Sequence, residues 1–82
     1  MNDEELIKII GQNIKKYRLI YSQTKETMTI EKLSKLTNIS QNKIYNLENL
    51  NNNSDINITN LYKIATVLEV PINYFLEKHN DK

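Results

Sequence analysis

The 82-residue chain has no cysteine and no tryptophan, and only one glycine, one proline and one histidine. Each shortage removes a class of protein. Without cysteine there is no disulfide framework, no thiolate zinc site and no cysteine nucleophile, and the absence suits a reducing cytoplasm. A single glycine excludes a glycine-rich phosphate loop. Few glycines and prolines together argue against a many-turned β-sandwich and against a disordered linker. No apolar run approaches the roughly 20 residues of a membrane-spanning helix. The start, Asp3-Glu4-Glu5, is acidic where a signal peptide would be basic. A chain this short buries only about 60–65% of its unfolded surface, so a deep cleft between lobes is not expected. The expectation is one soluble, cytoplasmic, all-helical domain over 1–82.

What the chain does contain is apolar residues at helical spacing. Leu6, Ile10, Ile14, Tyr17 and Tyr21 recur every three or four residues and predict a helix over 3–22. Asp3 or Asn2 caps it, and Glu4 and Glu5 stand where the helix dipole favours negative charge. Gly11 inside it costs about 1 kcal/mol against alanine unless something packs closely there. The polar run 22–27 reads as a loop. Thr29 caps a second, short helix with Ile30, Leu33, Leu36 and Thr37 on one face. Asn38-Ile39-Ser40 interrupts it, because asparagine tolerates the left-handed conformation that ends helices and Ser40 caps the next. That third helix, about 41–49, carries Ile44 and Leu47 inward. The asparagine-rich stretch 49–57 reads as a solvated loop. Asn57 caps a fourth helix, with Leu61, Ile64, Ala65 and Leu68 inward. Pro71 ends it and suits the first turn of a fifth, about 72–79, with Ile72, Phe75 and Leu76 apolar. The expected fold is all-α, a compact five-helix bundle.

The near-neutral net charge of +1 hides an uneven distribution. Residues 1–5 carry Asp3, Glu4 and Glu5. Residues 6–46 carry Lys8, Lys15, Lys16, Arg18, Lys25, Lys32, Lys35 and Lys43 against Glu26 and Glu31, a net +6. The remainder is mildly acidic. A basic first half containing the short helix pair is the electrostatic footprint of a nucleic-acid binder, although lysines on solvated helix faces are also common.

Between Thr29 and Glu48 lie a short helix, a three-residue turn and a second short helix, with Leu33, Ile39, Ile44 and Leu47 fixed around the turn. With Leu33-Ser34, Asn38-Ile39-Ser40 and then Ile44, Leu47, Glu48 and Asn49, this stretch resembles the Xre-like, phage-repressor and Cro type of helix-turn-helix domain. Ile10-Gly11, Ile14 and Arg18 resemble that family's first helix. Leu61, Ile64-Ala65, Leu68, Val70 and Phe75 resemble its last two, so the resemblance covers about residues 9–77. Each element has a physical reason. Ser34 is small where the two helices cross, Asn38 stands where the family usually has glycine and positive φ is needed, and Ile39 plugs the corner.

The resemblance implies a sequence-specific regulator of transcription that binds double-stranded DNA, a repressor acting as a homodimer on an inverted repeat. It implies an ion pair between Arg18, the one arginine of the chain, and Glu48. Base contacts then fall to Gln41, Asn42, Lys43, Tyr45 and Asn46 on the outward face of the third helix. Glutamine and asparagine amides match adenine N6 and N7, and lysine donates to guanine O6 or N7, each worth about 1–3 kcal/mol of discrimination. Tyr45 reaches a thymine methyl or a phosphate. Phosphate contacts fall to Thr29, Lys32, Lys35, Ser40 and Asn49, which position the domain without reading sequence. The chain departs from the family at Ile30, where many members carry a phosphate-contacting glutamine. It departs again at Leu50, where glycine often follows, and in longer loops at 22–28 and after 49.

Little else in the chain carries chemistry. His79 is alone near the end, and Ser22, Ser34, Ser40 and Ser54 have no histidine partner, so no catalytic residue, metal site or cofactor is expected. The five tyrosines read as packing and face residues rather than base-stacking platforms. Ile72, Tyr74, Phe75 and Leu76 either close the core or form an isologous dimer contact. The expected partners are double-stranded DNA, a second copy and a possible regulatory protein, with no membrane. A rival reading, prompted by Ile30 and the long loops, is a protein-interaction module with a helix-turn-helix shell, such as an antitoxin or adaptor.

Overall fold

Capping residues and apolar stripes set the architecture. The computed structural model describes residues 3–49 and 55–78. Four α-helices follow in order: α1 Asp3–Thr24, α2 Ile30–Thr37, α3 Gln41–Glu48 and α4 Ile58–Leu68. A 3-10 helix, Ile72–Leu76, is the fifth element, and no strand occurs among the described residues. Thr29 and Ser40 cap α2 and α3 through side-chain oxygens that accept from the backbone N–H of Lys32 and Lys43, and Asn57 does the same for α4 with Asn60. His79 and Leu50, with the centre of the asparagine-rich stretch including Ser54, lie outside the described residues.

One apolar cluster joins every element. Ile10 and Ile14 of α1, Leu33 of α2, Ile44 and Leu47 of α3, Leu61, Ile64 and Leu68 of α4 and Phe75 meet there, with Met28 and Ile39 from the connections. Fully burying a side chain of this size stabilises the fold by about 1.5–3 kcal/mol. α1 packs against α3, α4 and the 3-10 helix, while α2 packs against α3 and α4. The α2–α3 pair is thus mounted on a frame made by α1 and α4.

The sequence-based boundaries shift in two places. α1 runs to Thr24 rather than ending at 22: the Lys25 N–H continues the ladder to Tyr21, and the Ser22 and Thr24 hydroxyls donate to the carbonyls four residues back. The last helix is a single 3-10 segment ending at Leu76 rather than an α-helix to 79. Its C-terminal carbonyls are taken by the buried Asn13, whose Nδ2 donates to Phe75 O at 2.9 Å, Glu77 O at 2.8 Å and Tyr74 O at 3.3 Å. Leu36 also differs from expectation: Leu33 and Thr37 turn into the core, whereas Leu36 is left exposed. Gly11 is buried in α1, where the missing side chain leaves room.

Among the described residues two non-glycine residues adopt the left-handed conformation, Asn38 at φ 60° and Glu69 at φ 61°. Each ends a helix. At Glu69 the Val70 N–H reaches back to Ala65 O and the Glu69 N–H to Thr66 O, the paired bonds of a Schellman motif. Glu69 also holds Lys25 Nζ at 2.9 Å, and that hydrogen bond raises the lysine ammonium above its usual value. The pair is exposed on both sides and screened by solvent, so it offsets little of the strain.

Two stability changes are expected. Glu69→Gly should raise unfolding free energy by about 1 kcal/mol, because glycine carries no Cβ penalty at positive φ. Asn13→Ala should lower it by about 2–3 kcal/mol by stranding carbonyls under the protein surface. Urea denaturation followed by circular dichroism measures both, and an unchanged midpoint for Asn13→Ala would contradict the anchoring role.

Candidate nucleic-acid interface

The site is built from the turn outward. α2 ends at Asn38, whose left-handed backbone (φ 60°, ψ 32°) lets its N–H bond Ser34 O at 2.8 Å. The Ser34 hydroxyl donates to the Ile39 carbonyl, and the Thr37 hydroxyl donates to Leu33 O at 2.7 Å. Ile39 is buried between these bonds. The Asn38 N–H and the Ile39 carbonyl are thus satisfied from within α2 while the apolar side chain locks the corner. Ser40 then opens α3, its oxygen 3.1 Å from the Lys43 N–H.

Helical geometry sorts α3 into two faces. At about 100° per residue, Gln41, Tyr45, Asn49, Asn42 and Asn46 fall in that order around one arc of roughly 140°, with Lys43 at its edge. Gln41, Asn42, Tyr45 and Asn49 are exposed, Lys43 and Asn46 are half-buried, and Ile44, Leu47 and Glu48 are buried. The outward arc carries amides and one phenol and no carboxylate. Asn49 also closes the helix, its Nδ2 donating to Tyr45 O at 2.8 Å, so its side chain has a structural duty.

The one acidic residue of α3 is turned inward. Arg18 on α1 grips Glu48 at two points, Nε to Oε2 at 2.7 Å and Nη2 to Oε1 at 2.8 Å, with the Glu48 side chain 2% exposed. This is the bidentate geometry that makes arginine–carboxylate pairs strong and directional. Arg18 Nη1 also donates to Met28 O at 3.0 Å. The Ser22 hydroxyl accepts from the Met28 N–H at 2.8 Å. One guanidinium thus ties α1, the entry to α2 and the last turn of α3.

The flanking residues have other work in the folded chain. Thr29 and Ser40 are exposed, and their side-chain oxygens are engaged as caps. Lys32 Nζ lies 3.1 Å from Glu26 Oε1, and Lys35 Nζ lies 3.6 Å from Glu31 Oε2. Ile30 is half-buried and packs against the core, so an apolar residue suits its position.

The residues proposed for a dimer contact divide. Phe75 is fully buried, with the Tyr17 ring 5.2 Å from its own, and is withdrawn from that surface as a core residue. Ile72 is half-buried against the core, and Tyr74 and Leu76 are exposed. Residue patterns missed Asn13 and Met28. Asn13 had a visible signal, a polar residue three positions after Ile10 on the apolar stripe, which requires a buried partner. Met28 acts through its backbone, which carries no sequence signal.

No helix among the described residues is long and apolar enough to cross a membrane, and none of those residues form a His, Cys, Asp and Glu cluster that could hold a metal. A turn locked by Asn38, a capped second helix with a hydrogen-bonding outer face, and an arginine clamp at its far end define a helix-turn-helix DNA-binding domain. The family described as helix-turn-helix matches residues 14–75, and the chain belongs to it, in the Xre-like class of phage repressors and Cro. That makes it a DNA-binding helix-turn-helix regulator. No curated protein and no solved structure matches the chain.

Glu48→Ala should cost about 3 kcal/mol of stability by leaving the Arg18 charge without its partner, whereas Arg18→Met combined with Glu48→Leu should recover much of that loss. Thermal or urea unfolding of the two variants provides the comparison. Equal losses would show that the pair's worth lies in packing rather than in charge compensation.

Proposed function

We propose that the chain is a repressor that recognises a specific double-stranded sequence, acting as a homodimer on an inverted repeat with α3 in the major groove. The observation that carries this reading is the outward arc of α3, a run of amide donors and acceptors at a capped helix N-terminus whose only carboxylate is tied inward. In that reading Gln41 and Asn42 enter the groove first, with Lys43, Tyr45 and Asn46 behind them. Thr29, Lys32, Lys35, Ser40 and Asn49 face the backbone. The groove is wide enough for one helix, and symmetric half-sites lie about 34–36 Å apart. A molecule 34 × 30 × 20 Å in extent suits two copies side by side at that separation. Tyr74, Leu76 and the edge of Ile72 supply the contact between copies, and the protein works in the cytoplasm without a cofactor.

A controlling protein partner is the second reading, and one feature supports it. Ile58 and Tyr62 stand exposed one turn apart on α4.

The test begins with selection of bound fragments from the source genome. Gln41→Ala with Asn42→Ala, both exposed, should leave the fold intact and lower preference for the selected site over random duplex by about tenfold or more per residue. If the double variant discriminates as well as the parent, α3 is not the reading element. Analytical ultracentrifugation with and without the selected duplex reports whether two copies assemble on it.

A further inference from the structure

The basic half of the sequence loses most of its positive charge at the motif itself. Across residues 26–37 the formal charges of Glu26, Glu31, Lys32 and Lys35 cancel. The structure brings them together in pairs: Lys32 Nζ to Glu26 Oε1 at 3.1 Å, and Lys35 Nζ to Glu31 Oε2 at 3.6 Å. All four side chains are exposed, so the pairs add little to stability. Their position is more telling. Glu26 precedes the Thr29 cap, Glu31 lies in the first turn of α2, and Lys32 and Lys35 follow it. The carboxylates therefore occupy the two ammonium groups assigned above to the DNA backbone.

We infer that Glu26 and Glu31 set the affinity of the domain by competing with DNA phosphates for Lys32 and Lys35. This rests on the DNA reading above and concerns how strongly the domain holds any duplex, not which sequence it selects. A lysine that leaves a carboxylate for a phosphate exchanges one charge-assisted contact for another, so the gain is their difference rather than a whole contact. The carboxylate left behind faces the polyanion and draws a cation back from solution. Fewer ions are then released overall than the number of lysines that reach phosphate, and binding becomes both weaker and less dependent on salt. A regulator held loosely on random DNA leaves it quickly, which favours search.

The test compares the parent with Glu26→Gln/Glu31→Gln by fluorescence anisotropy, on a random duplex and on a genome-selected fragment, between about 50 and 300 mM salt. The variant should bind both duplexes about tenfold more tightly at the lowest salt, with their ratio unchanged, and its plot of log K against log salt should steepen by about one. Lys32→Gln/Lys35→Gln should weaken both duplexes, and combining all four changes should abolish the gain. Unchanged affinity and slope in the Glu→Gln variant overturns the inference, and so does a fall, which would mean that the carboxylates preposition the lysines. A gain that persists without the two lysines overturns it as well. A parent that binds no duplex brings down the DNA reading together with the inference, whereas a parent that selects a site but is indifferent to Glu26 and Glu31 brings down the inference alone.

Discussion

Arg18 holds three parts of the chain at one guanidinium: its own helix, the Met28 carbonyl at the entry to α2, and the Glu48 carboxylate at the end of α3. A buried carboxylate with no such partner would destabilise the fold by several kcal/mol, so Glu48 can be buried only where Arg18 reaches it. The pairing has two consequences at once. It fixes the angle at which α3 leaves the body, because a bidentate contact is intolerant of rotation. It also withdraws the only negative charge of α3 from the face that Gln41, Asn42, Tyr45 and Asn46 present.

The turn completes what the ion pair begins. Asn38 accepts the left-handed backbone, Ser34 and Thr37 satisfy carbonyls of the corner from within, and Ile39 fills it. The Asn38 N–H and the Ile39 carbonyl are paired inside the domain, while the side chains of Gln41 and Asn42 stand exposed on α3. Rigidity at the turn and at Arg18 positions a helix of only eight residues, which could not hold its own conformation in isolation.

Most of the fold was legible because its signals are local. Caps at Thr29, Ser40 and Asn57 and apolar residues at helical spacing are written within a few positions of the elements they define. The 3-10 segment was not legible, because it is decided by Asn13 some sixty residues away in sequence. The end of α1 at 24 lies two residues past the expected 22, the margin by which helix ends fray. The same division runs through the candidate site. Side-chain chemistry on α3 can be read from residue types and a helical wheel. The engagement of Lys32 by Glu26 depends on how the loop before α2 folds, whereas Lys35 and Glu31 stand four apart within α2, and the burial of Phe75 depends on Tyr17 packing over it. A stretch of apolar residues at 72–76 does not announce which of its members face inward.

The central claim is that the outward arc of α3, held by Arg18 and opened by Ser40, is the surface that meets DNA. Backbone amide shifts measured by NMR during titration with a genome-selected duplex test it most directly. The largest changes should fall on Gln41, Asn42, Lys43 and Tyr45, with smaller ones at Thr29 and Lys32, while the exposed α4 residues Ile58 and Tyr62 stay still. Large changes centred on α4, with Gln41 and Asn42 unmoved, would contradict it.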